Sequence, residues 1–206
     1  MARETGAQCK QCRREGMKLF LKGERCLTDT CGVERRNYPP GDHGRGRARQ
    51  SEYRLQLREK QKARRYYGVL EKQFRNYYAQ ASRQTGVTGE NLLRLLESRF
   101  DNVLVRLGFA GSRRQARQMI RHGHWHVNGR RVDIPSYQLK PDDVITMKAN
   151  APVEPVVRDA TELTSVVPAW LQADHDGLTA KVLRLPERGE ITTPVQEQLI
   201  VELYSK

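Results

Sequence analysis

Four cysteines crowd into the first 31 residues: Cys9-x2-Cys12, thirteen residues, then Cys26-x4-Cys31. Zinc takes four thiolates in a tetrahedron, and a Cys-x2-Cys turn aims two of them at one ion. The surrounding segment holds few large apolar residues (Met17, Leu19, Phe20, Leu21, Leu27, Val33). A metal would supply the folding free energy that packing there cannot. Structural zinc at Cys9, Cys12, Cys26 and Cys31 is therefore the expected cofactor. An iron–sulfur cluster is the second candidate, followed by two disulfides or unrelated free thiols. Four thiolates fill a tetrahedral shell, so catalysis at this metal is not expected. His43 is read as a polar contact.

Arginine is the second chemical theme. In Ser112–Val132 (SRRQARQMIRHGHWHVNGRRV), Arg113, Arg117 and Arg121 recur at i, i+4 and i+8, with Arg114 alongside. Arg130 and Arg131 follow Asn128-Gly129, and His124 lies just before. Clustered guanidiniums repel one another in water, and their planar forks suit phosphate oxygens. Upstream, Arg45, Arg47 and Arg49 alternate through a Pro- and Gly-rich run. That run reads as an extended arm on phosphates. Arg54, Arg58, Lys60, Lys62, Arg64 and Arg65 spread around the helix that follows. These cations, with His124 and Asn128, are the expected RNA-binding residues.

Elements must position these groups. Ser112 and Gln115 have capping-box spacing, Ala116, Met119 and Ile120 make a buried face, and Gly123 suits a helix end. Asn128-Gly129 between short strands predicts a hairpin with a type I′ turn. Helices are expected from Ser51 to Tyr67, from Leu70 to Arg83, and from Thr88 unbroken to Gly108. Val144–Met147 reads as a strand, and strands flank a turn at Asp176-Gly177. A closing helix runs from Pro194 to Tyr204, with proline in its first turn. The fold class is α+β: an N-terminal metal-bound segment, a helical domain, and an inserted small α+β RNA-binding module of helices with an antiparallel sheet. The expected divisions are 1–45 (zinc-binding segment and basic arm), 46–97 (helical domain) and 98–165 (module). Residues 166–206 supply C-terminal strands and a closing helix returning to the helical domain.

Charge decides the partner class. The first 150 residues hold 32 Lys and Arg against 15 Asp and Glu, and the rest 5 against 9, which together make +13. Basic charge over such a length is the footprint of a polyanion binder. No apolar run is long enough to span a membrane and no apolar stretch follows a basic start, so a cytoplasmic nucleic-acid partner is expected. There is no Gly-rich phosphate loop, nucleophile elbow or His-rich metal site, so enzyme activity is not expected. A DNA-binding zinc finger would need histidine spacing that is absent.

Residues 99–145 resemble the RNA-binding module named after small-subunit ribosomal protein four. Further blocks carry the likeness over the whole chain: the four cysteines, Tyr38-Pro39-Pro40-Gly41, Leu57-Arg58-Glu59-Lys60-Gln61-Lys62, Tyr67-Gly68, Gln73-Phe74-Arg75, and Pro194 to Lys206. Together they resemble the bacterial branch of that ribosomal family in its cysteine-containing zinc form. Phe100 stands where the family has Leu, and Asp142 where it has Gly. The resemblance implies a structural constituent of the small ribosomal subunit that binds 16S rRNA directly and early, at a multi-helix junction in its 5′ domain, and nucleates assembly of the subunit body. It also implies a contribution to translational accuracy, contact with small-subunit protein five, and a place near proteins three and twelve.

Overall fold

The computed structural model describes residues 4–46, 51–163 and 166–205. The chain divides into two compact units, residues 1–92 with 193–206, and residues 93–192.

In the first unit, α1 (Gln8–Glu15) and the short α2 (Gly32–Arg35) precede two longer helices, α3 (Glu52–Tyr67) and α4 (Glu71–Ala81). Ser51 caps α3 by accepting the Arg54 N–H at 3.3 Å, satisfying one of the orphan donors of a helix start. Gly68 ends the helix at φ +65°, with the Gly68 and Val69 N–H groups returning to the Arg65 and Arg64 carbonyls. That is the pairing of a left-handed terminus. The closing helix, α9 (Glu197–Tyr204), packs on α3. It starts later than Pro194, because the Gln196 N–H is taken by Glu59 Oε2 at 3.0 Å and Thr193 pairs with the buried Tyr67 hydroxyl at 2.8 Å. Tyr204 stacks on Tyr78, with centroids 4.6 Å apart.

The expected single helix from Thr88 to Gly108 is two helices, α5 (Thr88–Glu97), whose first residues belong to the first unit, and α6 (Phe100–Arg106) in the second. The chain goes extended at Arg99, which bridges to Gln138. Its backbone pairs with the 135–139 segment: Phe100 N–H to Tyr137 O at 2.9 Å, Asp101 N–H to Pro135 O at 3.1 Å, Leu139 N–H to Ser98 O at 2.9 Å. A pattern of apolar spacing continues through such a break without registering it.

Then come α7 (Arg113–Arg121), β1 (Trp125–Val127), β2 (Arg130–Arg131), β3 (Val144–Met147), α8 (Glu154–Glu162), β4 (Leu171–Asp174) and β5 (Thr179–Val182). The five strands form one antiparallel sheet in the order β2-β1-β3-β5-β4. The C-terminal strands thus complete the sheet of the hairpin module, while the helix after them joins the first unit. Phe100, Leu104, Phe109, Ile120, Trp125 and Ile145 are fully buried in the core of this unit. Asn128 and Gly129 take φ of +51° and +74°, as a type I′ turn requires. Asp142 also goes to φ +69°, the conformation that glycine would enter without steric cost.

Candidate nucleic-acid interface

Ser112 caps α7 through the Gln115 N–H at 3.3 Å. The box does not close on Ser112, because Gln115 Oε1 accepts the Gly111 N–H instead, at 2.9 Å. Gly123, at φ +72°, turns the chain into β1. A Cβ there would meet the Arg131 guanidinium at 2.4 Å, so the hairpin arginine lies over the end of α7. On β1, Trp125 and Val127 face inward. His126 points the other way, with Arg131 as its cross-strand partner.

The arginine stripe expected along α7 is split. Arg117 is 6% exposed, and its Nη1 lies 3.7 Å from Asp101 Oδ2. Asp101 is itself held by the fully buried Arg99, Nε to Oδ1 at 3.0 Å and Nη2 to Oδ2 at 2.6 Å. Arg113 donates to Asn102 Oδ1 at 2.8 Å. Asn102 in turn donates to Glu97 at 2.6 Å, and Glu97 also receives Arg106 at 2.7 and 2.9 Å. These two arginines are thus spent inside the unit. A buried cation is retained only when it is paired.

Arg114 is half-buried, and Arg121, Arg130 and Arg131 are exposed. None of the four has an ion pair among the described residues. Asn128 serves the turn: its amide donates to Asp143 Oδ1 at 2.8 Å and its carbonyl oxygen accepts the Val144 N–H at 2.9 Å. His124 is partly buried. Burial holds its imidazole below the ordinary value, and His122 and Lys148 push the same way. Sequence reasoning passes over His126 and Lys148. The alternation His124-Trp125-His126 was the only signal for the outward face of β1.

The first unit gathers its cations differently. Arg58 and Arg65 both reach Glu15, whose side chain is only 2% exposed. Burial raises the Glu15 carboxyl above its ordinary value, with the two arginines opposing. Lys60 pairs with Glu71 at 2.9 Å and Lys62 with Glu59 at 2.6 Å. Arg64 Nη1 lies 2.9 Å from Glu71 Oε2, a charge contact rather than an aligned hydrogen bond. The broad cationic spread on α3 is therefore largely answered within the chain. Arg54 stays exposed at the first turn.

The basic arm is not free along its described length. Arg45 and Arg13 each lie over the Tyr38 ring, at 4.7 and 4.8 Å, and Arg14 donates to Pro40 O at 3.0 Å. Arg47 and Arg49 lie outside the described residues.

All four cysteines line one cavity of about 10 Å³. Cys26 Sγ accepts the Lys22 N–H at 3.4 Å, and burial pushes the Cys12 thiol up, with the other three cysteines adding to it. Gly32 makes room: a Cβ there would sit 2.7 Å from Cys9 Cβ. No three His, Cys, Asp or Glu among the described residues yet stand at metal-holding distances. Four thiols are the donor set a soft tetrahedral ion takes, and these four line one cavity without standing at ligating distance from a common point.

Residues 3–97 match the Ribosomal protein S4/S9 N-terminal domain, and residues 98–145 match the S4 domain. The chain is 61% identical to small ribosomal subunit protein uS4 of Acidothermus cellulolyticus and 58% identical to that of Pelotomaculum thermopropionicum. It is 57% identical to uS4A of Clostridium botulinum. Each match covers the whole of both chains. This chain belongs to the uS4 family. The S4-domain match spans α6, α7, β1 and β2 and ends within β3. In this uS4 chain, β5 and β4 then extend the sheet beyond the matched segment. No helix among the described residues is long and apolar enough to cross a membrane.

Proposed function

We propose that this chain is a structural, non-enzymatic constituent of the small ribosomal subunit, seated on ribosomal RNA in the cytoplasm through α7 and the β1–β2 hairpin. The observation carrying this reading is the set Arg114, Arg121, Arg130 and Arg131, without an ion pair among the described residues in a unit where Arg99, Arg106 and Arg117 are held by carboxylates and Arg113 by an amide. Folded RNA brings phosphate backbones together, and fixed guanidiniums there replace and release small ions. Base reading is not needed for this, since structured RNA is recognised largely by shape and backbone. The RNA is 16S rRNA, bound early so that the protein nucleates the subunit body and later contributes to translational accuracy. Small-subunit protein five is the neighbouring protein contact, with proteins three and twelve nearby.

Zinc belongs to the same reading. Cys9, Cys12, Cys26 and Cys31 would hold one ion whose role is to fix the fold of residues 9–31. The four thiols lining one cavity and the glycine that admits Cys9 support it.

Crosslinking on assembled small subunits tests the seat. The expected result is peptides from residues 113–131 joined to 16S rRNA. Recovery of those peptides joined only to other polypeptides would overturn it.

A further inference from the structure

Beside the proposed phosphate face lies a cavity of about 180 Å³. One face of α7 and its C-terminal cap supplies Gln115, Gln118, Met119 and the cap residue His122, a spacing of i, i+3, i+4 and i+7 that lines up one side of a helix. His124 closes it at the entrance to β1, and Val153 and Val156 close it from the start of α8. We propose that this cavity receives one unstacked RNA base; the assignment rests on the RNA-binding reading above and adds base recognition to it.

Size supports a single heterocycle, because pockets for larger ligands run to roughly 300–1,000 Å³. The lining has the two kinds of surface a base presents. Met119, Val153 and Val156 offer apolar contact, and the His122 and His124 rings lie 5.9 Å apart at 69°. Histidine is among the rings on which splayed bases stack. At the edge, Gln115 has its Oε1 engaged by the Gly111 N–H, which leaves the amide nitrogen to donate. Gln118 is exposed, with both its amide groups available for a base edge.

Charge places the phosphates. Arg114 and Arg121 sit at i−4 and i+3 from Gln118 on the same helix, and the Lys148 charge is felt at His124. A nucleotide leaving its stack here would keep cations along its flanking backbone. A peptide anchor would use the apolar lining but would leave the amide edge and flanking cations without a role.

The test uses the full chain and a 16S rRNA 5′-domain fragment, titrated at several salt concentrations. Val156 is 46% exposed, so Val156→Trp can narrow the cavity without disturbing the core. Gln118→Ala removes an edge contact on an exposed site. Both variants should melt as the parent does. Loss of a stacked base weakens binding about ten-fold, and here the salt slope should stay unchanged, because no phosphate contact is lost. One base protected from base-specific chemical modification in the parent complex should become reactive with Val156→Trp. Parental affinity in both variants overturns the assignment, as does a loss that lowers the salt slope. Intact RNA affinity with blocked incorporation into subunits would mean a protein occupant, and overturns it too. If the parent chain itself does not bind the fragment, the broader RNA-binding reading fails and takes this assignment with it.

Discussion

Asp101 is the residue on which the arginine pattern turns. It neutralises Arg99 at the break between α5 and α6 and lies within charge contact of Arg117 on α7. Removing one partner of a buried pair leaves an uncompensated charge, at roughly 3–5 kcal/mol. Asp101→Ala should therefore unfold residues 93–192 at markedly lower denaturant, read by the two tryptophans of that unit. Arg117→Ala should likewise cost stability and leave the salt slope for RNA untouched, whereas Arg114→Ala should lower that slope by about 0.7–0.9. Spacing alone put Arg113, Arg117 and Arg121 on one stripe, because i, i+4 periodicity reports which residues share a face. It does not report what the face meets. The carboxylate and amide that consume Arg117 and Arg113 sit on α6 and were legible only as ordinary helix residues.

Elements announced themselves where the backbone chemistry is local. Ser51, Gly68, Ser112, Gly123 and the Asn128-Gly129 turn all act where residue type predicts, and Asp142, standing where the resembled family has Gly, takes a positive φ. Elements shaped by distant pairing were hidden. The α5–α6 break comes from hydrogen bonds to residues 135–139, and the late start of α9 from Glu59. The α3–α4–α9 packing carries its own pH signature. Burial pushes the Glu71 carboxyl up, but Lys60, Tyr204 and Arg64 outweigh it and hold it below the ordinary carboxylate value. A depressed carboxyl contributes stability above its unfolded value and loses it as pH falls through the folded one. The helical unit should thus loosen below about pH 4.5, the ordinary glutamate value, and Glu71→Gln should blunt that dependence in a circular-dichroism titration. At the cysteine segment, metal analysis should find one zinc per chain. Chelation should abolish the helical signal of residues 8–35 while the tryptophan signal of residues 93–192 persists. A zinc-free chain with the same helical signal would count against the metal.

At the scale of the whole molecule, net charge pointed to the right class of partner, while the ion pairs of the fold divide the cations into two kinds. Much of the positive charge on α3 is balanced by Glu15, Glu59 and Glu71, and in the second unit the cations without an ion pair among the described residues include Arg114, Arg121, Arg130 and Arg131 on α7 and its hairpin. Counting basic residues cannot separate a cation that holds a fold from one that awaits a phosphate. The distinction lies in tertiary ion pairs. The most direct measurement is the salt dependence of affinity for a 16S rRNA 5′-domain fragment, comparing the parent with a variant carrying alanine at Arg114, Arg121, Arg130 and Arg131. With the melting temperature unchanged, the slope of log affinity against log salt should fall by about 3, from four phosphate contacts at roughly 0.7–0.9 each. An equally folded variant that keeps the parental slope would contradict the account.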